Sequence, residues 1–237
     1  MTLHCKLGIN IDHVATIRNA RGENHPNLLR AAKVVEKSKA DSITMHLRED
    51  RRHVKDKDLM EIKNNINLPI NLEIAPSMEM VNLAISLNPA SVCLVPEKRE
   101  EITTEGGLDI NSNIKILDYI ANRMSKTDIK LACFIDPDFK QIKLLKELKI
   151  NIIEFHTGQY ASAKESKNIN FYYDQLKESI EYASNLGFNC HAGHGLNFEN
   201  VSKIASIEKI QELNIGHFLV GESIFHGLEN VIVKMKK

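Results

Sequence analysis

Ser42–Ile43–Thr44–Met45–His46–Leu47 alternates side chain by side chain: Ile43, Met45 and Leu47 are apolar, while Thr44 and His46 are polar. Successive strand residues point to opposite faces, so this run reads as a strand with one greasy and one polar side. The same alternation recurs along the chain. Ile9 and Ile11 oppose Asn10 and Asp12, Leu72 and Ile74 oppose Asn71 and Glu73, and Ile153 and Phe155 oppose Glu154 and His156. Phe188 and Cys190 stand against Asn189 and His191 in the same way. A parallel sheet covered by helices needs its apolar set outward. The polar sets then face one enclosed interior, where they must bond to each other or meet ligand and water.

Working outward from these runs gives a repeated strand–loop–helix unit. Strands are expected at Leu7–Ile11, Ser42–Leu47, Ile70–Ile74, Ser91–Val95, Ile129–Phe134, Ile152–His156, Phe188–His191 and Phe218–Val220. Helical periodicity predicts helices over Leu28–Glu36, Leu59–Asn64, Met80–Leu87, Ile114–Met124, Gln141–Leu148, Tyr172–Leu186, Val201–Gln211 and Leu228–Met235. Eight such units in one chain of 237 residues predict an α/β fold, the closed (β/α)₈ TIM barrel. An open doubly wound sheet is the rival, but no G-x-G-x-x-G follows the first strand. No Gly/Ser-rich linker interrupts the pattern, so residues 1–237 are expected to form a single catalytic domain. The longest irregular segment, Pro96–Asn113, carries Gly106–Gly107 and suggests a ligand-covering loop.

Thirty-one basic and thirty-one acidic residues cancel, so no overall field draws the chain to nucleic acid. No stretch approaches the roughly 20 apolar residues that span a bilayer. The start, Met1–Thr2–Leu3–His4–Cys5–Lys6, runs straight into a strand and does not read as a signal peptide. Cys5, Cys93, Cys133 and Cys190 are far apart and lie in or beside apolar segments. They read as small hydrophobes in a reducing compartment, which predicts a cytoplasmic protein.

Chemistry is expected where polar strand ends meet at the C-terminal mouth of the barrel. His46 ends the second strand facing inward, and histidine carries protons near neutral pH. Arg48 and His53 follow it and can meet a phosphate or an oxyanion. Glu73, ending the third strand on the polar face, is a candidate base. After the seventh strand, His191–Ala192–Gly193–His194–Gly195–Leu196 lets the backbone approach a ligand closely around His194. Together with Asn214–Ile215–Gly216–His217 and Gly221–Glu222–Ser223, it matches the phosphate-holding loops seven and eight of such barrels. Glu222 is awkward there, since an acid repels phosphate unless it points away.

Each residue also has a plain structural reading. Glu154 or Asn71 alone can complete a buried hydrogen-bond network, and Glu49–Arg52 can be a solvated loop. Polar ends repeated on five strands are harder to explain that way. His191 with His194, and His46 with Asp50 and His53, can be drawn as metal clusters, but neither matches His-Glu-x-x-His. No G-x-S-x-G occurs, and no lysine is placed at an inward strand end, because Lys6 and Lys130 begin their strands. The residues therefore predict acid–base chemistry on phosphorylated metabolites without metal or cofactor.

Along nearly its whole length the chain resembles the pyridoxine 5′-phosphate synthase family. The resemblance is carried by Gly8–Ile9–Asn10–Ile11–Asp12–His13 with Asn19–Ala20–Arg21–Gly22, by residues 43–53, and by Asn71–Leu72–Glu73. It continues through Leu94–Val95–Pro96–Glu97–Lys98–Arg99, Thr103–Thr104–Glu105–Gly106–Gly107–Leu108–Asp109 and Glu154–Phe155–His156–Thr157–Gly158. Ala192–Gly193–His194–Gly195–Leu196 and Glu212–Leu213–Asn214–Ile215–Gly216–His217 complete it.

The resemblance implies a (β/α)₈ barrel with extra short helices, assembled as a homo-octamer. It implies condensation of 3-amino-2-oxopropyl phosphate with 1-deoxy-D-xylulose 5-phosphate to pyridoxine 5′-phosphate, with loss of inorganic phosphate and water. By the same resemblance His46 and Glu73 are the bases and His194 the proton donor. Asn10, Arg21, Gly195, Gly216 and His217 would hold the amino-ketone phosphate. Asp12, His13, Arg48, His53 and Thr103 would hold the sugar phosphate. Gln159 and Glu222 depart from the pattern of some relatives, away from the proton-transfer groups. Another phosphosugar isomerase or aldolase of the barrel class, and a non-catalytic phosphometabolite-binding protein, remain the alternatives to this reading.

Overall fold

The computed structural model describes residues 4–97 and 106–237. Its eight strands are β1 Lys6–Asn10, β2 Ser42–His46, β3 Ile70–Ile74, β4 Ser91–Leu94, β5 Lys130–Ile135, β6 Ile152–His156, β7 Asn189–Gly193 and β8 Ile210–Ile215. All neighbours pair in parallel, and β8 returns to β1 through Leu7 opposite Leu213 and Ile9 opposite Ile215, so the sheet closes into a barrel. Around it run α1 Asp12–Arg21, α2 Leu28–Lys37, α3 Asp56–Asn65, α4 Met78–Leu87, α5 Ile110–Met124 and α6 Phe139–Glu147. The second half adds α7 Gly158–Ser162, α8 Ser166–Asn185, α9 Val201–Ala205, α10 His217–His226 and α11 Leu228–Met235.

The outer faces of the strands build the main core. Leu7, Ile9, Ile43, Met45, Leu72 and Ile74 are fully buried, against helix residues such as Ala32, Ile62 and Ala84. The inner faces divide in two. On β4, β5 and β6, Cys93, Val95, Ala132, Phe134 and Ile152 form a separate small apolar cluster. Elsewhere the interior is polar and internally bonded. Ser42 donates to Glu212 at 2.7 Å, Thr44 to the Asn214 oxygen at 2.9 Å, and the Asn214 amide to Glu154 at 2.8 Å. Ser91 donates to the Asn71 oxygen at 2.9 Å. An unbonded buried group costs about 1–3 kcal/mol, so this network is what lets alternating strands close a barrel.

One expected strand is misplaced. Phe218–Leu219–Val220 reads as a short apolar strand but lies in α10, with Leu219 and Val220 buried on its inner side. The eighth strand is Ile210–Ile215, where inward Glu212 and Asn214 break the apolar run into an alternating one. The helix expected over Val201–Gln211 accordingly stops at Ala205. Helices α1, α7 and α10 were not expected. Gly221–Glu222–Ser223 therefore lies within a helix rather than in a loop. Of the irregular Pro96–Asn113 segment, residues 98–105 lie outside the described residues, and α5 begins early at Ile110, capped by the Asp109 carboxylate.

Candidate active site

At the end of β2 and β3 the sheet register sets His46 opposite Glu73. The His46 Nδ1 lies 3.9 Å from the Glu73 carboxylate, and its Nε2 lies 2.8 Å from Glu97 just beyond β4. The His46 backbone N–H donates to Asp12 at 2.9 Å, so the first residue of α1 is tied across to the end of β2. Burial, reinforced by the charges of Glu154 and Asp12, pushes the Glu73 carboxyl well above its ordinary value. Glu154 rises for the same first reason, to about 8, although the Asn214 amide opposes the shift. The mouth thus holds two carboxyls whose hold on a proton is strengthened by burial, on either side of the barrel interior from which His46 projects.

Helix α1 braces the connection after β2. Arg18 and Asp58 form a two-pronged buried pair at 2.6 and 2.8 Å, and the Asn19 amide donates to the His53 carbonyl at 2.7 Å. His53 is thereby held beside Thr16, whose hydroxyl is 2.8 Å from its Nδ1. The His13 ring lies 4.7 Å from that of His217 and 6.1 Å from that of His53. Burial and the neighbouring imidazoles lower His13 to about 4. The His13 ring is therefore mostly neutral until an anion supplies the opposing charge. Arg48 is buried in the same connection, 3.6 Å from Asp50.

Across the mouth stands His194, in the left-handed region at φ 82°, followed by Gly195 at φ 76°. A non-glycine residue there is strained, and such strain persists where surrounding bonds enforce it. Thr157 enforces it, its hydroxyl donating to the carbonyls of Gly193 and His194 at 2.7 and 2.6 Å. His194 is lowered to about 4 by burial first, then by His156 and His217. His156 packs against it and pairs with Asp136 at 2.8 Å.

One cavity of about 750 Å³ joins these groups. Asn10, His13, His46, His53, Glu73, His194, Gly195, Gly216 and His217 all line it, as the sequence led us to expect. Asp12 and Arg48 are buried and are not among the residues that line it. Arg21 is not brought in: its side chain is exposed at the end of α1 and 3.6 Å from Glu23. Thr103 lies outside the described residues. Glu222 does line the cavity, with His226 Nε2 3.3 Å from its carboxylate. Sequence reasoning gave no role to Glu97, Asp136 or His156. Inward parity signals His156, whereas Glu97 and Asp136 sit past strand ends, where alternation carries no information.

Asp12, His46 and Glu73 each bring one possible ligand atom within 4.8 Å of the others, a spacing a metal ion could use. Two of these groups already serve otherwise. Asp12 accepts the His46 amide, and Glu73 is driven toward its protonated form, which is a poor ligand.

The sequence pattern of the family described as pyridoxal phosphate biosynthesis protein PdxJ matches residues 7–237. A pyridoxine 5′-phosphate synthase of Wolbachia pipientis subsp. Culex pipiens is 49% identical over 233 residues, covering 98% of this chain and 97% of that protein. One from Zymomonas mobilis subsp. mobilis is 49% identical over 236 residues, covering 100% and 92%. Among solved structures, a mutant tryptophan synthase α-subunit from Pyrococcus furiosus aligns with a TM-score of 0.64 at 12% identity, covering 99% of this chain and 96% of that one. A phosphoribosyl anthranilate isomerase aligns with a TM-score of 0.59 at 14% identity, covering 98% and 97%. At such identities these structures share the barrel and nothing more.

Proposed function

The chain belongs to the PdxJ family of pyridoxal phosphate biosynthesis proteins, and from that premise we propose how its barrel mouth makes pyridoxine 5′-phosphate. The reaction condenses 3-amino-2-oxopropyl phosphate with 1-deoxy-D-xylulose 5-phosphate and releases inorganic phosphate and water. The substrate amine attacks the other substrate's ketone, so the imine joins the two substrates and no enzyme lysine is needed. Proton removal gives an enamine, phosphate leaves, water adds, and an aldol-type closure with dehydration forms the ring.

In this proposal His46 and Glu73 accept protons and His194 donates one. The observation that carries it is the single cavity: His46 Nδ1 is 3.9 Å from Glu73 on one side, and His194 faces it from another strand end. Asn10, Gly195, Gly216 and His217 form the amino-ketone phosphate side. His13 and His53, with Asp12 and Arg48 behind them, form the sugar-phosphate side. Arriving dianions would draw protons onto these imidazoles, which burial keeps neutral beforehand. The proposal places no phosphate on Arg21. Residues 1–237 act as one catalytic domain, and the subunits form a homo-octamer. The assembly rests on the motif resemblance, and exposed Ile224 and Phe225 offer apolar surface for it.

The test is incubation with both substrates and measurement of pyridoxine 5′-phosphate and inorganic phosphate in equal amounts. Neither substrate alone should give product. Glu73→Gln should fold normally and lose at least about a hundredfold in turnover. Unchanged turnover in that variant removes Glu73 from its role.

A further inference from the structure

We propose that Glu97 is the positioning residue of the proton-transfer histidine: it holds the N–H of His46 Nε2, so Nδ1 is the nitrogen that takes the substrate proton. This rests on the reading of His46 as a base and assigns that base its partner, its tautomer and its working atom.

The geometry leaves the imidazole little freedom. Glu97 follows Val95–Pro96 at the end of β4, and its side chain is only 5% exposed. One carboxylate oxygen lies 2.8 Å from His46 Nε2, and the other accepts the Glu49 backbone N–H at 3.0 Å. The carboxylate is thus clamped by the same connection that carries His46. At the other edge of the ring, Nδ1 is 3.9 Å from Glu73, too far for a hydrogen bond, while His46 itself lines the cavity. One nitrogen is hydrogen-bonded, and the other has no hydrogen-bond partner among the described residues.

An ionised carboxylate only accepts hydrogen bonds, so the nitrogen it faces carries the hydrogen and the other keeps the lone pair. Burial acting alone would raise the Glu97 carboxyl. The His46 hydrogen bond and charge, the Glu49 amide and Arg48 together bring it below its ordinary value. Glu73 is displaced in the opposite direction by burial and by Glu154 and Asp12. Of the two carboxyls flanking the imidazole, Glu97 is the one its contacts favour as the anion, while burial makes Glu73 the stronger base. When Nδ1 takes a proton, the new imidazolium lies against an anion already in place, as in carboxylate–histidine pairs generally.

Two measurements decide this. In the ¹⁵N-labelled, ligand-free full-length protein, the His46 ring signals are assigned by comparison with His46→Asn, and their shifts and couplings report the tautomer. We expect hydrogen on Nε2, and hydrogen on Nδ1 of the neutral ring overturns the proposal. Steady-state kinetics of Glu97→Gln should show kcat reduced by about 10²- to 10⁴-fold, with KM for both substrates within about threefold. A purely structural Glu97 would instead leave kcat near normal in any variant that folds, and that result also overturns it. Should Glu97→Gln not fold, the tautomer in the unaltered protein still decides. Full turnover by His46→Asn would sink the base reading instead, whatever the tautomer spectrum shows.

Discussion

His156 stands edge-on to His194, the ring centroids 4.9 Å apart and the planes at 69°. Asp136 fixes the far side of the His156 ring through Nδ1, and its Nε2 is buried over Gly158. The proposed proton donor therefore rests on a second carboxylate–histidine pair. Gly158→Ala would put a methyl into His156 Nε2 and 2.8 Å from its Cε1, closer than side chains pack, and a tight 3.2 Å from His194 Cδ2. We expect turnover at least about tenfold lower with a small change in stability, because the rings can shift where backbone cannot. Kinetics beside thermal melts check this, and unchanged kcat would refute it.

His156→Phe should keep the edge-on packing while removing a neighbouring ionisable ring. His194 is held near 4 chiefly by burial, with His156 and His217 contributing. Its titration midpoint, followed by NMR, should therefore move upward, by less than about one unit. A downward shift would show that the two rings are coupled in some other way.

Glu154 makes stability fall as pH rises. Its carboxyl is raised from an ordinary 4.5 to about 8 in the folded protein, mainly by burial. Between those values the unfolded chain ionises while the folded one keeps its proton, so the unfolded state gains. The stabilising difference is whole below about pH 4.5 and is lost progressively up to about 8. Glu154→Gln, which can still accept from Asn214, should become more stable than the parent at pH 8 than at pH 5. The differential is on the order of a few kcal/mol by chemical denaturation. A pH-independent difference between the two proteins would contradict the argument.

The Arg18–Asp58 pair is buried on both sides. Asp58→Ala leaves an uncompensated guanidinium and should destabilise the protein by about 3–5 kcal/mol in urea unfolding. Replacing both partners with Met and Leu should be far milder. Because α1 also holds the His53 carbonyl through Asn19, Asp58→Ala should raise KM for the sugar phosphate in whatever fraction stays folded. Equal stability of the single and double variants would refute the pair's role.

Chelators should leave activity unchanged, despite the ligand-like spacing of Asp12, His46 and Glu73. The His46 amide occupies Asp12, and Glu73 favours its protonated form, so an ion would have to displace both. Loss of activity on dialysis against EDTA, restored by one divalent ion, would make that trio a metal site.

Alternation at Ser42–His46, Ile70–Ile74 and Ile152–His156 was enough to read the strands and their inward faces, because a period of two is a local property. It made His46, Glu73 and Glu154 legible as inward groups. It failed at β8, where polar Glu212 and Asn214 hid a strand and apolar Phe218–Val220 imitated one. A three-residue apolar run fits either a strand or one buried turn of helix.

The sequence by itself determined the repeating unit, the closed barrel and the polar mouth, since each follows from residue type and spacing along the chain. Tertiary structure alone decided the pairings: Glu97 on His46, Asp136 on His156, Arg18 on Asp58, and Arg21 turned outward. Those contacts join residues up to 51 positions apart through loops and helix ends. Loops have no repeating backbone geometry to aim a side chain, so only the folded chain can show which atom meets which.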